Sequence, residues 1–157
     1  MVTTNAMRLL RAANVPFEVR EYEVDENDLS GVHIAESLSI SPDEMFKTLV
    51  TRASDGGIFV FCIPSAAELD LKKCASLVGA KSLEMVHVKE LLGLTGYIRG
   101  GCSPVGMKKK YPTYMDETAT LFSPIYVSAG VRGAQLVIDP FALSAFAEIT
   151  FADLTKY

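Results

Sequence analysis

Two apolar runs, Thr48 to Ala53 and Ile58 to Ile63, stand four residues apart across Ser54-Asp55-Gly56-Gly57. A turn this short, rich in Asp and Gly, holds its flanking segments antiparallel, and the β-branched residues in both suit a pleated surface. The spacing therefore predicts a β-hairpin. Runs this apolar belong to central strands, so the remaining elements have to be arranged around this pair.

Those elements alternate in type. Thr3-Thr4 can cap a helix running to about Ala13, with Leu9, Leu10 and Ala13 on its apolar side, before Asn14-Val15-Pro16 stops it. Phe17 to Val24 alternates as a strand. Ser30 can cap a short helix carrying Val32, Ile34, Ala35 and Leu38, and Ser41-Pro42-Asp43-Glu44 has the form of a capping box with proline at the first helical position. Ser65 to Val78 reads as a helix closed by Gly79, Leu83 to Val86 as a short strand, and Val88 to Leu92 as a helical turn or two. Thr113 to Met115, Ile125 to Val127 and Ala134 to Ile138 read as strands, and Asp139-Pro140 opens a last helix through about Glu148. The chain shows no internal repeat or linker. The expected fold is a mixed α/β (α+β) single domain over residues 1–157, with an irregular mixed sheet or partly closed barrel surrounded by helices.

A length of 157 residues, 49% of them hydrophobic and 22% charged, suits one domain able to bury most of its surface. No apolar run approaches a membrane span, and Met1 to Arg8 lacks the plan of a signal peptide, so a cytoplasmic protein without membrane contact is expected. Cys62, Cys74 and Cys102 are scattered and odd in number; reduced thiols are expected, with neither a disulfide frame nor a metal site. A net charge of −4 excludes a protein that coats nucleic acid through bulk electrostatics. Any such contact must be local, through Lys72-Lys73, Lys81, Arg99 or Lys108-Lys109-Lys110, all of which also suit a solvated surface.

Thr95 to Gly106, TGYIRGGCSPVG, is the clearest sign of a site. Glycine lets the main chain approach a ligand closely and proline removes a competing donor, so such a loop can present several N–H groups to an anion or a developing oxyanion. The same composition suits a plain tight turn. It matches neither a dinucleotide fingerprint nor a phosphate-binding P-loop. Lys47, in Met45-Phe46-Lys47-Thr48-Leu49-Val50, passes from the expected capped helix into a very apolar strand, where a lysine either reaches back to the surface or points into a polar cavity. Tyr22 lies in the first strand, Tyr97 and Ser103 in the glycine loop, and Ser128 to Gly133 (SAGVRG) forms a second glycine turn. His33 and His87 are separated and read as surface residues, giving a Ser-His-Asp arrangement little support.

Together these segments resemble the bacterial YbaK/EbsC proteins, aminoacyl-tRNA deacylases typified by the Cys-tRNA(Pro) deacylase. The resemblance runs through FEVREYEVD (Phe17 to Asp25), MFKTLV (Met45 to Val50), LDLKKCASLVGA (Leu69 to Ala80), TGYIRGGCSPVG, KKKYP (Lys108 to Pro112) and IYVSAGVRG (Ile125 to Gly133), in that order. It implies a single-domain editing module acting in trans on aminoacyl-tRNA, without metal or organic cofactor. Lys47 matches the family's functional lysine, Tyr22 its first-strand tyrosine, and Gly100 to Pro104 its G-x-x-x-P loop. Tyr97, Gly100, Gly101, Cys102, Ser103, Pro104, Ser128, Gly130 and Gln135 are the substrate-binding candidates, and Lys47 and Tyr22 the catalytic ones. Gln135 stands where better-known members carry an aspartate, which leaves the amino-acid specificity open. For a cysteinyl ester the resemblance implies attack by the substrate's own thiol, so Cys102 is not expected to be catalytic. The expected substrate is mischarged Cys-tRNA(Pro). Two other readings are a deacylase for another small mischarged residue and a non-catalytic module binding tRNA or prolyl-tRNA synthetase.

Overall fold

The computed structural model describes residues 3–156. Met1 and Val2, which open the segment read for a signal peptide, and Tyr157 lie outside the described residues. The expected hairpin is present: β2 (Phe46–Ala53) and β3 (Ile58–Pro64) pair antiparallel, with Lys47 opposite Ile63, Thr48 opposite Cys62 and Val50 opposite Val60. Both are interior strands of a five-stranded sheet in the order β4-β2-β3-β5-β8, where β4 is Leu83–Met85, β5 Thr113–Asp116 and β8 Ile149–Ala152. A second sheet of three strands runs β1-β7-β6, formed by Glu18–Glu21, Ala134–Ile138 and Ile125–Ser128. The architecture is mixed α/β with two sheets, and no barrel closes. Among the described residues the sheets are joined by an isolated parallel bridge between Met45 and Tyr126, just ahead of β2.

Among the described residues five α-helices cover these sheets: α1 (Asn5–Ala12), α2 (Gly31–Ser37), α3 (Leu71–Val78), α4 (Val88–Thr95) and α5 (Pro140–Ala147). Thr4 caps α1, its Oγ1 accepting from the Met7 N–H and donating to the Ala129 carbonyl at 2.6 Å, which ties the helix to the second glycine turn. The face of α1 that packs inward is Ala6, Met7 and Leu10; Leu9 and Ala13, expected there, are exposed. Ser30 caps α2 as expected, although Val32 points to solvent. The Ser41 capping signal produces only a single 3-10 turn, Pro42–Glu44, because the chain must enter β2 immediately. α3 begins at Leu71, six residues later than the pattern implied, with Asp70 as its cap, because Leu69 bridges to Thr155 and the Asp70 N–H donates to the Leu154 carbonyl. β1 is likewise shorter than Phe17 to Val24. β8 was not foreseen: it follows Glu148, whose φ of 54° ends α5, and pairs parallel with β5, more than thirty residues upstream.

The main core lies between the sheets, where Phe46, Cys62 and Met115 meet Ile125, Val127 and Leu136 beneath α1. A second core packs α3 on the opposite face of the larger sheet through Phe61, Ile63, Cys74 and Ala75. The α2 helix covers the outer face of the small sheet with Ile34, Ala35 and Leu38. Among the described residues no helix is long and apolar enough to cross a membrane.

Phe61 is fully buried and stacks on Tyr114 with ring centroids 5.6 Å apart. Phe61→Ala is expected to cost about 3–5 kcal/mol, through lost transfer energy and the cavity left behind. Urea denaturation of the variant against the parent measures it; a loss below about 1 kcal/mol would show that the second core contributes little.

Candidate active site

β4 pairs with β2 only from Thr51 to Ala53, and the Val86 N–H reaches the Val50 carbonyl just beyond. The edge of β2 from Phe46 to Leu49 is consequently open. Backbone groups of alternate residues face the same side of an antiparallel strand, so Thr48, two before Val50, turns its N–H and C=O toward that open edge. Side chains alternate in the other sense: Thr48 lies on the face of Cys62, at 3.6 Å from its sulfur, and Lys47 on the face of Leu49 and Ile63. A cavity of about 370 Å³ wraps around this edge. Its walls are the start of α2, the approach to α4, the glycine loop at Arg99, Gly100 and Cys102, and the ends of β6 and β7 at Ser128 and Gln135.

The lining carries two cations, Lys47 and Arg99, together with His87 and the Cys102 thiol, but no carboxylate. Lys47 is half-buried, and its ammonium makes no hydrogen bond or ion pair among the described residues. Burial pulls its pKa below the usual lysine value, with the charge of Glu68 opposing that shift. The Lys47 chain thus brings a positive charge with little neutralisation to a partly desolvated place, an environment suited to an anion.

The glycine loop and the second glycine turn are packed back to back. A Cβ on Gly101 would stand 3.0 Å from the backbone of Val131 and Arg132, and one on Gly130 would stand 2.9 Å from the Tyr97 ring, so neither position accepts a side chain without movement. Tyr97 is buried in this joint; its hydroxyl donates to the Val105 carbonyl, and burial pushes its pKa up to about 12. Ser103, fully buried, accepts the Val105 N–H at 3.2 Å. The N–H groups of Gly100, Cys102 and Ser103 make no hydrogen bond among the described residues. The Cys102 thiol is pushed up to about 12 by burial, as are those of Cys62 and Cys74, so all three stay protonated at neutral pH. Among the described residues no group of three His, Cys, Asp or Glu side chains is arranged to hold a metal ion.

Gln135 is 4% exposed, between Arg20 of β1 and Ser128 of β6, and its Oε1 has no hydrogen-bond partner among the described residues. A buried acceptor left unpaired costs about 1–3 kcal/mol, so this oxygen on the cavity wall is stabilised by any donor, from water or from a ligand, that enters the cavity. Ser128 Oγ accepts the Gly130 N–H, and its own O–H donates to no group among the described residues.

Of the residues singled out from sequence, Lys47, Gly100, Cys102, Ser128 and Gln135 line the cavity. Tyr97, Gly101, Ser103, Pro104 and Gly130 stand behind it and shape the loop. Tyr22, expected in the first strand and as a catalytic residue, lies just past β1 with its N–H on the Gly133 carbonyl; its ring packs against Ile34 and Met45 under α2, and Tyr22 itself does not line the cavity. Of the other cations, Lys73 is committed to Asp153 and the Thr155 carbonyl, and Lys110 to Glu148. His87 is exposed at the cavity mouth, at the start of α4, with no side-chain cap bond. Sequence reading missed Ser65, whose Oγ donates to the Met45 carbonyl at 2.8 Å, and Gly31, whose missing Cβ would stand 2.6 Å from that Oγ. A lone serine after a strand gives no signal of such a contact.

The model of the aminoacyl-tRNA editing domain matches residues 30–146. The chain is 48% identical over 97% of its length to an Enterococcus faecalis protein described as a candidate Cys-tRNA(Pro)/Cys-tRNA(Cys) deacylase, EbsC, of which the match covers 93%. It is 34% identical over 66% of its length to a proline–tRNA ligase of Shouchella clausii, of which the match spans 18%. Among solved structures it shares its fold with a candidate trans-editing enzyme for prolyl-tRNA synthetase, with a TM-score of 0.82 at 24% identity over 99% of this chain and 100% of that one. With the cavity at the open edge of β2 and the glycine loop across its mouth both inside the matched span, the chain belongs to the aminoacyl-tRNA editing domain family.

Proposed function

We propose that this chain is a trans-acting aminoacyl-tRNA deacylase that hydrolyses mischarged tRNA, with Cys-tRNA(Pro) its preferred substrate. The observation that carries the reading is a cavity with two cations, unbonded loop N–H groups and no carboxylate in its lining. Such a lining offers no carboxylate base and no low-pKa nucleophile, but it can stabilise negative charge. An aminoacyl ester is already activated, so orientation and stabilisation of the carbonyl oxyanion are the main requirements. In this mechanism the N–H groups of Gly100 and Cys102 receive the oxyanion, Lys47 supplies positive charge beside it, and Ser128 and Gln135 hold the amino-acid end. The substrate thiol attacks its own ester carbonyl: a C–S bond forms, the C–O bond to the ribose breaks, and the thiol proton passes to the ribose oxygen. Water then opens the small cyclic thioester to free cysteine.

Gln135 favours a second reading, a deacylase for another small residue, because a neutral amide accepts from an ammonium without the charge assistance that roughly doubles such a contact. Release of amino acid from tRNA(Pro) charged with cysteine, serine or alanine separates the readings. Faster turnover of the cysteinyl ester supports thiol participation, and equal rates on the seryl ester exclude it. No turnover on any charged tRNA would leave only a binding module, whose partner would be tRNA or a prolyl-tRNA synthetase.

Lys47→Met is expected to lower the deacylation rate on the order of a hundredfold, about 3 kcal/mol of transition-state stabilisation, while the fold persists. Because burial depresses the amine's pKa in the folded chain, the unfolded chain holds more protons between that value and 10.5, and stability rises with pH across this window. Denaturation midpoints on approach to pH 10.5 should show a smaller rise for the methionine variant than for the parent.

Cys102→Ser is expected to keep most of the deacylation rate, since a thiol held near 12 supplies almost no thiolate at neutral pH. Complete loss in a folded variant, measured on Cys-tRNA(Pro), would make Cys102 a nucleophile and overturn the mechanism. Gln135→Asp should raise kcat/KM for substrates with a protonated α-amine by roughly tenfold, the effect of adding charge assistance. An unchanged ranking across the charged-tRNA panel would remove position 135 from the pocket.

A further inference from the structure

Arg132, in the second glycine turn, is outside the cavity lining, yet its guanidinium joins two of the cavity's walls. Nε donates to the Arg99 carbonyl at 2.8 Å, and Nη1 donates to Glu26 Oε2 at 3.0 Å. The first bond holds the peptide between Arg99 and Gly100. The second holds the segment that leads into Leu29, Ser30 and Gly31, at the start of α2 across the cavity. That segment is itself folded into tight turns, with the Asn27 N–H on Asp25 Oδ1 and the Ser30 N–H on Asp28 Oδ1, so a tether at Glu26 is transmitted to the wall.

The peptide bond is planar and trans, which sets a carbonyl and the following N–H on opposite sides. With the Arg99 carbonyl bound to Arg132, the Gly100 N–H is turned away from the guanidinium. That N–H makes no hydrogen bond among the described residues, and Gly100 lines the cavity at a φ of 85°. Glycine rotates easily about its backbone bonds, so an untethered Gly100 would leave this peptide free to turn over and present a carbonyl where a donor is needed. Packing narrows the space further: a Cβ on Gly100 would stand 3.2 Å from Arg132 Nε.

We infer that Arg132 is a positioning residue: it holds the Arg99–Gly100 peptide with its N–H available to an anion in the cavity and keeps the opposite wall at a set distance. The kinetic consequence rests on the deacylase reading; the structural one does not. A planar fork can make both bonds at once, whereas a lysine ammonium on a flexible stem cannot reproduce that geometry. Losing the tether should therefore misplace the donor for the transition state more than it weakens binding of the bulk of the substrate.

The test uses the full chain with Arg132→Ala and Arg132→Lys. Both variants are expected to lose kcat for a charged tRNA on the order of ten- to a hundredfold, the usual cost of a small misplacement, with KM changing much less. Added guanidinium should restore part of the Arg132→Ala rate without affecting the parent. A raised KM with kcat preserved would overturn the inference and make Arg132 a phosphate contact. Should the alanine variant fail to fold, the lysine variant is read by the same criteria. Independently of any reaction, the backbone amide resonances of Gly100 and Cys102 should shift or broaden in both variants while those of α3 stay in place. If those two resonances are unmoved, the positioning role is wrong even where the deacylase reading holds; if they move but no charged tRNA is hydrolysed by the parent, the positioning role stands and the deacylase reading fails.

Discussion

The carbonyl of Met45 is the junction on which the rest of the molecule turns. It accepts both the N–H and the Oγ of Ser65, each at 2.8 Å, while the residue's backbone bridges to Tyr126 of the small sheet. One peptide group thus ends the hairpin, anchors the chain that leaves β3, and marks where the two sheets meet. Because the chain must satisfy this junction before it becomes β2, the capping signal at Ser41 can form no more than a single turn. Because β4 reaches only as far as Thr51, the stretch of β2 just past the junction stays unpaired along one edge. Open edges are normally covered or blunted. Here the edge is walled in by α2, the approach to α4 and the glycine loop, and the space between them is the cavity.

The electrostatic character of that cavity follows from what surrounds it. Sheet residues and loop backbone make up most of the lining, so the charges present come from side chains on its margins, Lys47 from the strand edge and Arg99 from the loop. Carboxylates are plentiful elsewhere, some of them held in surface pairs such as Glu90 with Arg52 and Glu26 with Arg132. The thiols are kept protonated by burial. A site of this kind is equipped to receive negative charge, and under the proposed mechanism it leaves attack on the ester to a group the substrate or solvent brings.

Rigidity around the donors has a separate origin, in contact between two glycine turns far apart in the chain. Gly101 lies on the Val131–Arg132 backbone, Gly130 under the Tyr97 ring, and Thr4 of the first helix donates to Ala129 in the same turn. Each contact is ordinary alone. Together they set a flexible sequence in one conformation, which donors need if they are to be in place before charge develops.

The sequence by itself determined the hairpin, the caps at Thr4 and Ser30, the glycine C-cap at Gly79 and the mixed α/β class, because each depends on residues within a few positions of one another. It also marked Lys47 and the glycine loop through their unusual placement and the family pattern they follow, and Gln135 as the position that departs from that pattern. Tertiary structure decided the division into two sheets, the parallel pairing of β8 with β5, the late start of α3 and the place of Tyr22 under α2 instead of in the cavity. Ser65 and Arg132 are likewise understood only from the folded chain. Ser65 reaches a partner 20 residues away and Arg132 partners 33 and 106 residues away, and no local rule of spacing or propensity encodes a hydrogen bond between groups that meet only once the sheets have packed.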